Sequence, residues 1–577
     1  MNQKTLYKIS NIKVSNYNIQ DKERIVTDMK KHIIIFFALI HLLILQSFAQ
    51  ENARIPSEKP RLILVIEISQ FRYDYIPRYW DKFSEGGFKK LINRGSYCEN
   101  TAYNYLFSDV GIGSATIATG TNPSQHGIIA RSWYNNLQDR IVDYVYDDKV
   151  NTVGGGYDDG RYSPANLMTT TFCDEIKLTN NFKSKVIGVS LDPAPAIFST
   201  GHTADCAYWF NFKTGSFISS TFYIDSLPKW VNDFNSKKFP DVYLENEWNT
   251  LLPISEYTAS LLDNNSYETG LFGQVVFPYT LKDLSKKFKR KEKYEILRYT
   301  PYGNDLTKDF AISAMVNEKL GQDEYTDILT LTFTASEYIG NLYGPLSVEI
   351  EDLVLRLDKE LEHLLDFVEK TIGKENVLVI LTAEHGVRYL PEYLEDNKIP
   401  SGYFNAPGNI SLLKSYMNNI YGKGDWIKQY HGQQIFLNRT LVEDAKLNLG
   451  EMQTNVANLM LQFSGVANTM TASTLQSTNF TQGIFSIMQK GYNQKRSGDV
   501  LLNFNTGWAE MPIESDEIAA PYGHDRRVPL IWYGWKIGRN SIKRPVDLID
   551  IAPTICTLLE ISYPNSASGT PILEIIE

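Results

Sequence analysis

Arg61-Leu62-Ile63-Leu64-Val65-Ile66-Glu67-Ile68 is the stretch that decides the fold. An apolar run broken only by Glu67 suits a parallel strand covered on both faces, since a half-exposed strand would alternate with polar residues. Val186 to Ser190, Ile328 to Phe333, Val377 to Thr382 and Val528 to Tyr533 read the same way. Helical patterns separate these runs. The clearest spans Ser347 to Lys370, where Val348, Ile350, Leu353, Leu357, Leu361, Leu364, Leu365 and Val368 mark one apolar face. Strands alternating with helices indicate an α/β fold with a doubly wound, mainly parallel sheet flanked by helices. Sites in such sheets form at the carboxyl ends of the strands.

Polar residues follow the strands at those ends. Ser69 and Gln70 come after the first, Glu337 and Asn341 after Ile328–Phe333, and Glu384 and His385 after Val377–Thr382. Between the first two strands lies the glycine-containing run Asp109 to Gly120, then Asn122-Pro123 and His126-Gly127. His524-Asp525-Arg526-Arg527 precedes the last strand. Zinc sites take about four ligands, commonly with histidine among them. Glu384, His385 and Glu337 offer three, but a lone Glu-His pair is more often a hydrogen-bonded turn than a metal site. No P-loop, Ser-His-Asp ordering or Cys-x-Pro-x-Arg stretch is present.

The remaining features bound the class. The chain has 577 residues, 43% hydrophobic and 21% charged, an ordinary globular balance. Its net charge of -10 argues against nucleic acid as a partner. The basic cluster Lys286 to Lys291 reads as a solvated face. Residues ~205–300, rich in aromatics and Asn, and ~395–500, rich in Gly/Asn turns, interrupt the alternation and are expected to form inserted cap subdomains. Met29-Lys30-Lys31, the apolar run Ile33 to Leu45 and the small-residue end Ser47-Phe48-Ala49-Gln50 have the three parts of a secretory signal. We therefore expect a signal peptide over 29–49, cleaved between Ala49 and Gln50, and a mature domain over 50–577. Residues 1–28 then lie upstream of the true start or are disordered, and the destination is periplasmic or secreted. A signal anchor is the alternative. Of Cys98, Cys173, Cys206 and Cys556, the first pair to test for a disulfide is Cys173–Cys206; free buried thiols fit as well.

Several longer stretches carry a family resemblance. They include Arg72-Tyr73-Asp74-Tyr75, Pro123-Ser124-Gln125-His126-Gly127, Tyr208-Trp209-Phe210, Thr300-Pro301-Tyr302-Gly303-Asn304, Lys495-Arg496-Ser497-Gly498-Asp499 and Asp550-Ile551-Ala552-Pro553-Thr554. From ~60 to 577 the chain resembles the alkaline phosphatase superfamily. The likeness is to the bacterial periplasmic phosphate-irrepressible alkaline phosphatases and the nucleotide pyrophosphatase/phosphodiesterases. The resemblance implies a covalent, two-zinc phosphohydrolase, yet most positions that would do the chemistry have changed. Val110 stands at the nucleophile position. One zinc would face Ser69, Glu384 and His385; the other would face Glu337, Asn341 and Ile518. Arg131, Asp192 and Ala194 replace the Asn and the Lys-x-Arg pair that hold phosphate.

The expectation is thus a pseudo-phosphatase: an exported alkaline phosphatase-like protein that binds or scaffolds in the cell envelope, with no cofactor. Its partners would be an envelope protein or a weak anionic ligand. The alternative is a divergent metal-dependent phosphomonoesterase or phosphodiesterase, which would use zinc. Routes to it exist: Ser108, Ser114 or Thr116 as nucleophile, His524 as a late ligand, Glu67 as a substitute ligand. Arg131, Arg526 and Arg527 are candidates for anion binding, since arginine pairs bidentately with phosphate or carboxylate. Alternatively Arg131 forms an internal salt bridge with Glu337, Glu384 or Asp192.

Overall fold

The computed structural model describes residues 58–289, 292–511, 518–519 and 522–576. The expected signal peptide at 29–49 and the segment 1–28 lie outside the described residues.

An eleven-stranded sheet forms the centre. Its main members are β1 (Leu62–Ile68), β2 (Ser96–Ala102), β3 (Val186–Ser190), β4 (Cys206–Asn211), β5 (Ser216–Ser220), β6 (Asp327–Phe333), β7 (Val377–Thr382) and β8 (Arg527–Gly534). They lie side by side as β2-β8-β7-β1-β6-β3-β4-β5. β1 runs parallel to both β6 and β7, and β3 joins β6 to β4 in parallel. Every residue of β1, β3, β6 and β7 is buried, which is why their sequences show no alternation. β8 is antiparallel to β7 and to β2. Its apolar run records burial on both faces, and burial does not record direction.

Four helices position the site: α1 (Val110–Thr119), α2 (Pro193–Phe198), α3 (Ala335–Tyr343) and α4 (Val348–Thr371). In α4, Leu353, Leu357, Leu361, Leu364 and Val368 face the core. Ser347 caps its start by accepting the Ile350 N–H at 3.2 Å.

The two irregular stretches differ in kind. Residues 205–300 do not stand apart: β4 and β5 extend the central sheet, and Trp209, Phe217, Trp248 and Tyr279 belong to the main core. Within 395–500 and a few residues beyond, Phe404, Leu413, Ile435, Met452, Val456 and Leu502 close a separate core. That core packs on a four-stranded sheet of Ile427–His431, Gln434–Leu437, Val500–Phe504 and Val466–Thr471.

All four cysteines are free and buried, so the Cys173–Cys206 disulfide is not formed. Cys173 Sγ donates to the Ser199 carbonyl at 3.4 Å, while Cys206 Sγ lies 3.3 Å from Ser219 Oγ. A large apolar core makes the cross-link unnecessary.

Candidate functional site

β1, β6 and β7 end in register, Ile68 beside Phe333 and Glu67 beside Thr382. The chain therefore delivers Ser69, α3 and Glu384-His385 to one edge. Ser69, Glu384 and His385 are fully buried. Ser69 Oγ donates to Glu384 Oε1 at 3.4 Å, and Ser114 Oγ donates to Glu67 Oε2 at 2.5 Å. Glu67 and Glu384 also face each other. Burial pushes the Glu67 carboxyl up to about 7, opposed by its hydrogen bonds from Ser114 and with Glu384. Burial, then the Glu67 charge, pushes Glu384 well above the carboxylate range. Two carboxyls this close cannot both ionise without a cation, so a proton between them takes the place of one.

His385 Nδ1 lies 2.8 Å from the Gly386 carbonyl, which places its proton on that nitrogen. Its Nε2 is buried without a partner. Burial lowers the ring to about 4, so it is neutral at pH 7.

Asn341, Glu337 and Ile518 stand at the positions expected to face the second metal. Asn341 Oδ1 accepts from Gln70 Nε2 at 3.0 Å, and Gln70 holds a left-handed backbone (φ 54) beside it. Glu337 lies in the first turn of α3 and is buried. Ile518 stands in a short strand paired with Ser108, two residues before Val110. Its backbone thus lies at the site, but an isoleucine offers no donor. Among the described residues no three His, Cys, Asp or Glu side chains converge as a cation would need. The donor set does not fit two zinc ions: Ser69 and Asn341 are committed to neighbours, and Ile518 is apolar.

Val110 opens α1. Asp109 caps the helix, accepting the Ile112 N–H at 2.7 Å, so the first turn aims its N–H groups toward residue 110. The helix lies hard against the strand ends: a Cβ on Gly113 would come 2.3 Å from Glu384 Cβ. Ser108, Ser114 and Thr116 are all fully buried. Ser114 serves Glu67, while Thr116 donates to the Ile112 carbonyl at 2.9 Å and meets His126 Nε2 at 3.1 Å. Ser114 and Thr116 are thus engaged by neighbours, whereas Ser108 Oγ, also buried, makes no hydrogen bond among the described residues. The side chain of His524 lies outside the described residues.

Asp192 caps α2 in position and carries a negative charge where the resemblance implies a lysine. Arg298 Nη2 and the Tyr338 hydroxyl both donate to its Oδ1 at 3.0 Å. The Arg298 guanidinium stacks 3.8 Å over Phe212. Asp192 is thus matched by Arg298, the residue that sequence reasoning missed; the only signal was a lone arginine among Tyr294, Tyr299 and Tyr302. Arg131 is exposed, and its charge acts on Asp143, Tyr144 and Tyr338, the last two shared with Glu337. Arg526 and Arg527 each turn one guanidinium nitrogen to neighbouring oxygens. Arg526 Nη1 donates to the Tyr103 carbonyl (2.7 Å) and Asn104 Oδ1 (2.9 Å), and Arg527 Nη2 to the Glu99 carbonyl (2.8 Å). Both brace β2.

Known proteins share this architecture. A family model for "Type I phosphodiesterase / nucleotide pyrophosphatase" matches residues 63–520. The chain is 36% identical over 537 residues to alkaline phosphatase PafA of Elizabethkingia meningoseptica, covering 92% of this chain and 96% of that one. The crystal structure of wild-type PafA superposes with a TM-score of 0.86 at 35% identity, covering 91% of this chain and all of the other. A solved PafA variant, equally 35% identical, covers 91% of this chain and 100% of its own with a TM-score of 0.85; it is substituted at a threonine, an asparagine, a lysine and an arginine. The first two have the sequence spacing of Val110 and Arg131, and the last two that of Asp192 and Ala194. This chain is a member of the type I phosphodiesterase/nucleotide pyrophosphatase family within the alkaline phosphatase superfamily.

Proposed function

We propose that this is an exported alkaline phosphatase-like protein that has left the covalent, two-zinc route and uses its cleft for binding or scaffolding in the cell envelope. The observation that carries the reading is the set of contacts made by the replaced residues. Ser69 serves Glu384, Asn341 serves Gln70, and Val110 has no nucleophilic atom. A clamp of cations on phosphate is replaced by Asp192 paired with Arg298. The test is elemental analysis of the purified protein beside turnover of aryl phosphate mono- and diesters. Less than one equivalent of zinc and background turnover are expected. Two bound zinc ions with chelator-sensitive turnover would overturn the reading.

A second reading is a divergent metal-dependent phosphomonoesterase or phosphodiesterase. The phosphatase named above, 36% identical over nearly the whole chain, weighs toward it. So does one local observation: His385 Nε2 is buried near Glu384 with no hydrogen-bond partner among the described residues, leaving its lone pair free to ligate. Melting with and without chelator separates the two. A fall of more than about 5 °C, a substantial part of a domain's stability, supports the second reading.

A further inference from the structure

Away from the strand ends, a groove of about 440 Å³ opens between the hairpin of residues 132–143, the loop at 146–149 and Lys495-Arg496. That volume is in the range of small-molecule pockets. Four cations line it: Arg140, Lys149, Lys495 and Arg496. Two carboxylates do, and one of them is engaged. Asp147 Oδ2 accepts the Ser163 hydroxyl at 2.6 Å, and its Oδ1 the Lys149 backbone N–H at 2.9 Å.

Arg496 distinguishes the groove from an ordinary charged surface. Its guanidinium lies 4.6 Å from the ring of the buried Trp133, and its Nη1 donates to the Gly127 carbonyl at 2.5 Å. Among the described residues no carboxylate pairs with it, and burial pulls the group down to about 10. Arg72, Arg298 and Arg356 are each matched by a carboxylate, Asp74, Asp192 and Asp352, whereas Arg526, like Arg496, donates to uncharged oxygens. A desolvated charge without a counter-ion is costly, and an anion delivered from solvent relieves that cost.

We propose that this groove binds a small ligand carrying more than one phosphate-class anionic group, anchored on Arg496 and met at the rim by Arg140, Lys149 and Lys495. None of Ser69, Val110, Arg131, Glu337, Glu384 and His385 lines it. It stands whether or not the chain hydrolyses esters. The competing explanation makes Arg496 a strut that holds the Gly127 turn, with the cations as solubilising charge.

Calorimetric titration of the full chain with inorganic pyrophosphate tests it. Three proteins are compared: wild type, the double variant Lys149→Glu/Lys495→Glu, and Arg131→Ala. Both lysines are exposed, so the double variant should melt like the wild type. Affinity should fall about tenfold or more in the double variant, the scale of losing charge-assisted contacts, and stay unchanged in Arg131→Ala. Arg140→Gln, a single change at the rim, should weaken binding in the same direction and guards against misfolding of the double variant. No binding by the wild type, equal binding by all the groove variants, or loss confined to Arg131→Ala would each overturn the proposal; the last would place the anion in the old cleft.

Discussion

Val110 sits at the start of a capped helix, at the edge of the main sheet, with everything needed to present a hydroxyl except the hydroxyl. Restoring it alone should not restore chemistry. Val110→Thr is expected to show no turnover above wild type and no phosphorylated protein by intact mass after incubation with an aryl phosphate, because Ser69, Asn341 and Ile518 still leave both expected ligand sets incomplete. A phosphorylated species from this single change would mean that a competent metal site had survived. Glu384→Gln tests the carboxyl pair. A neutral amide can donate to Glu67 without a shared proton, so the variant should gain melting temperature over wild type at a pH of about 8.5 and little at about 5.5. Equal effects at both pH values would show that the two carboxyls do not share a proton.

At the scale of elements, the site depends on how closely α1 docks on the chain after β7. Gly113→Ala would drive a methyl into Glu384, 2.3 Å from its Cβ and 2.7 Å from its Cα. Overpacking of this kind costs about 1–3 kcal/mol, measurable as a lower midpoint in denaturant; a variant as stable as wild type would show that the helix can slide. The elements themselves were largely legible. β1, β3, β6, β7 and α4 announce themselves because continuous or helically spaced apolar residues have few other uses. The expected site positions rest on identities at fixed spacings, which a sequence records directly. What was hidden depends on partners far apart in the chain. Gln70 and Asn341 are separated by 271 positions, Asp192 and Arg298 by 106, and nothing local to either residue records the other. β4 and β5 looked like an insertion because aromatic and Asn-rich strands at a sheet margin resemble loop composition. The direction of β8 is set by the connection that leads into it, not by its own residues.

Across the whole molecule, buried acids set the pH response. Burial raises Glu67 to about 7, Glu349 to about 8, and Asp305, with Glu360 beside it, to about 8. Each contributes stability that is fully present below its ordinary value and is lost as pH rises through the raised one. His126 and His385, lowered by burial to about 3 and about 4, act in the opposite sense, but only below their ordinary value of 6.5. Above that value the raised carboxyls act without that opposition. Stability should therefore fall between pH about 6.5 and about 9, seen as a falling midpoint in denaturant. A rising midpoint would refute this, and a cation between Glu67 and Glu384 would flatten the fall. The four thiols follow a different logic. Burial pushes Cys98, Cys206 and Cys556 up to about 12 and Cys173 well above its ordinary value, and none of them is bonded to another. A thiol that stays protonated is a poor target for peroxide and for thiol–disulfide exchange. The fold is held without a disulfide, and the four buried thiols offer no exposed sulfhydryl for an oxidant to cross-link.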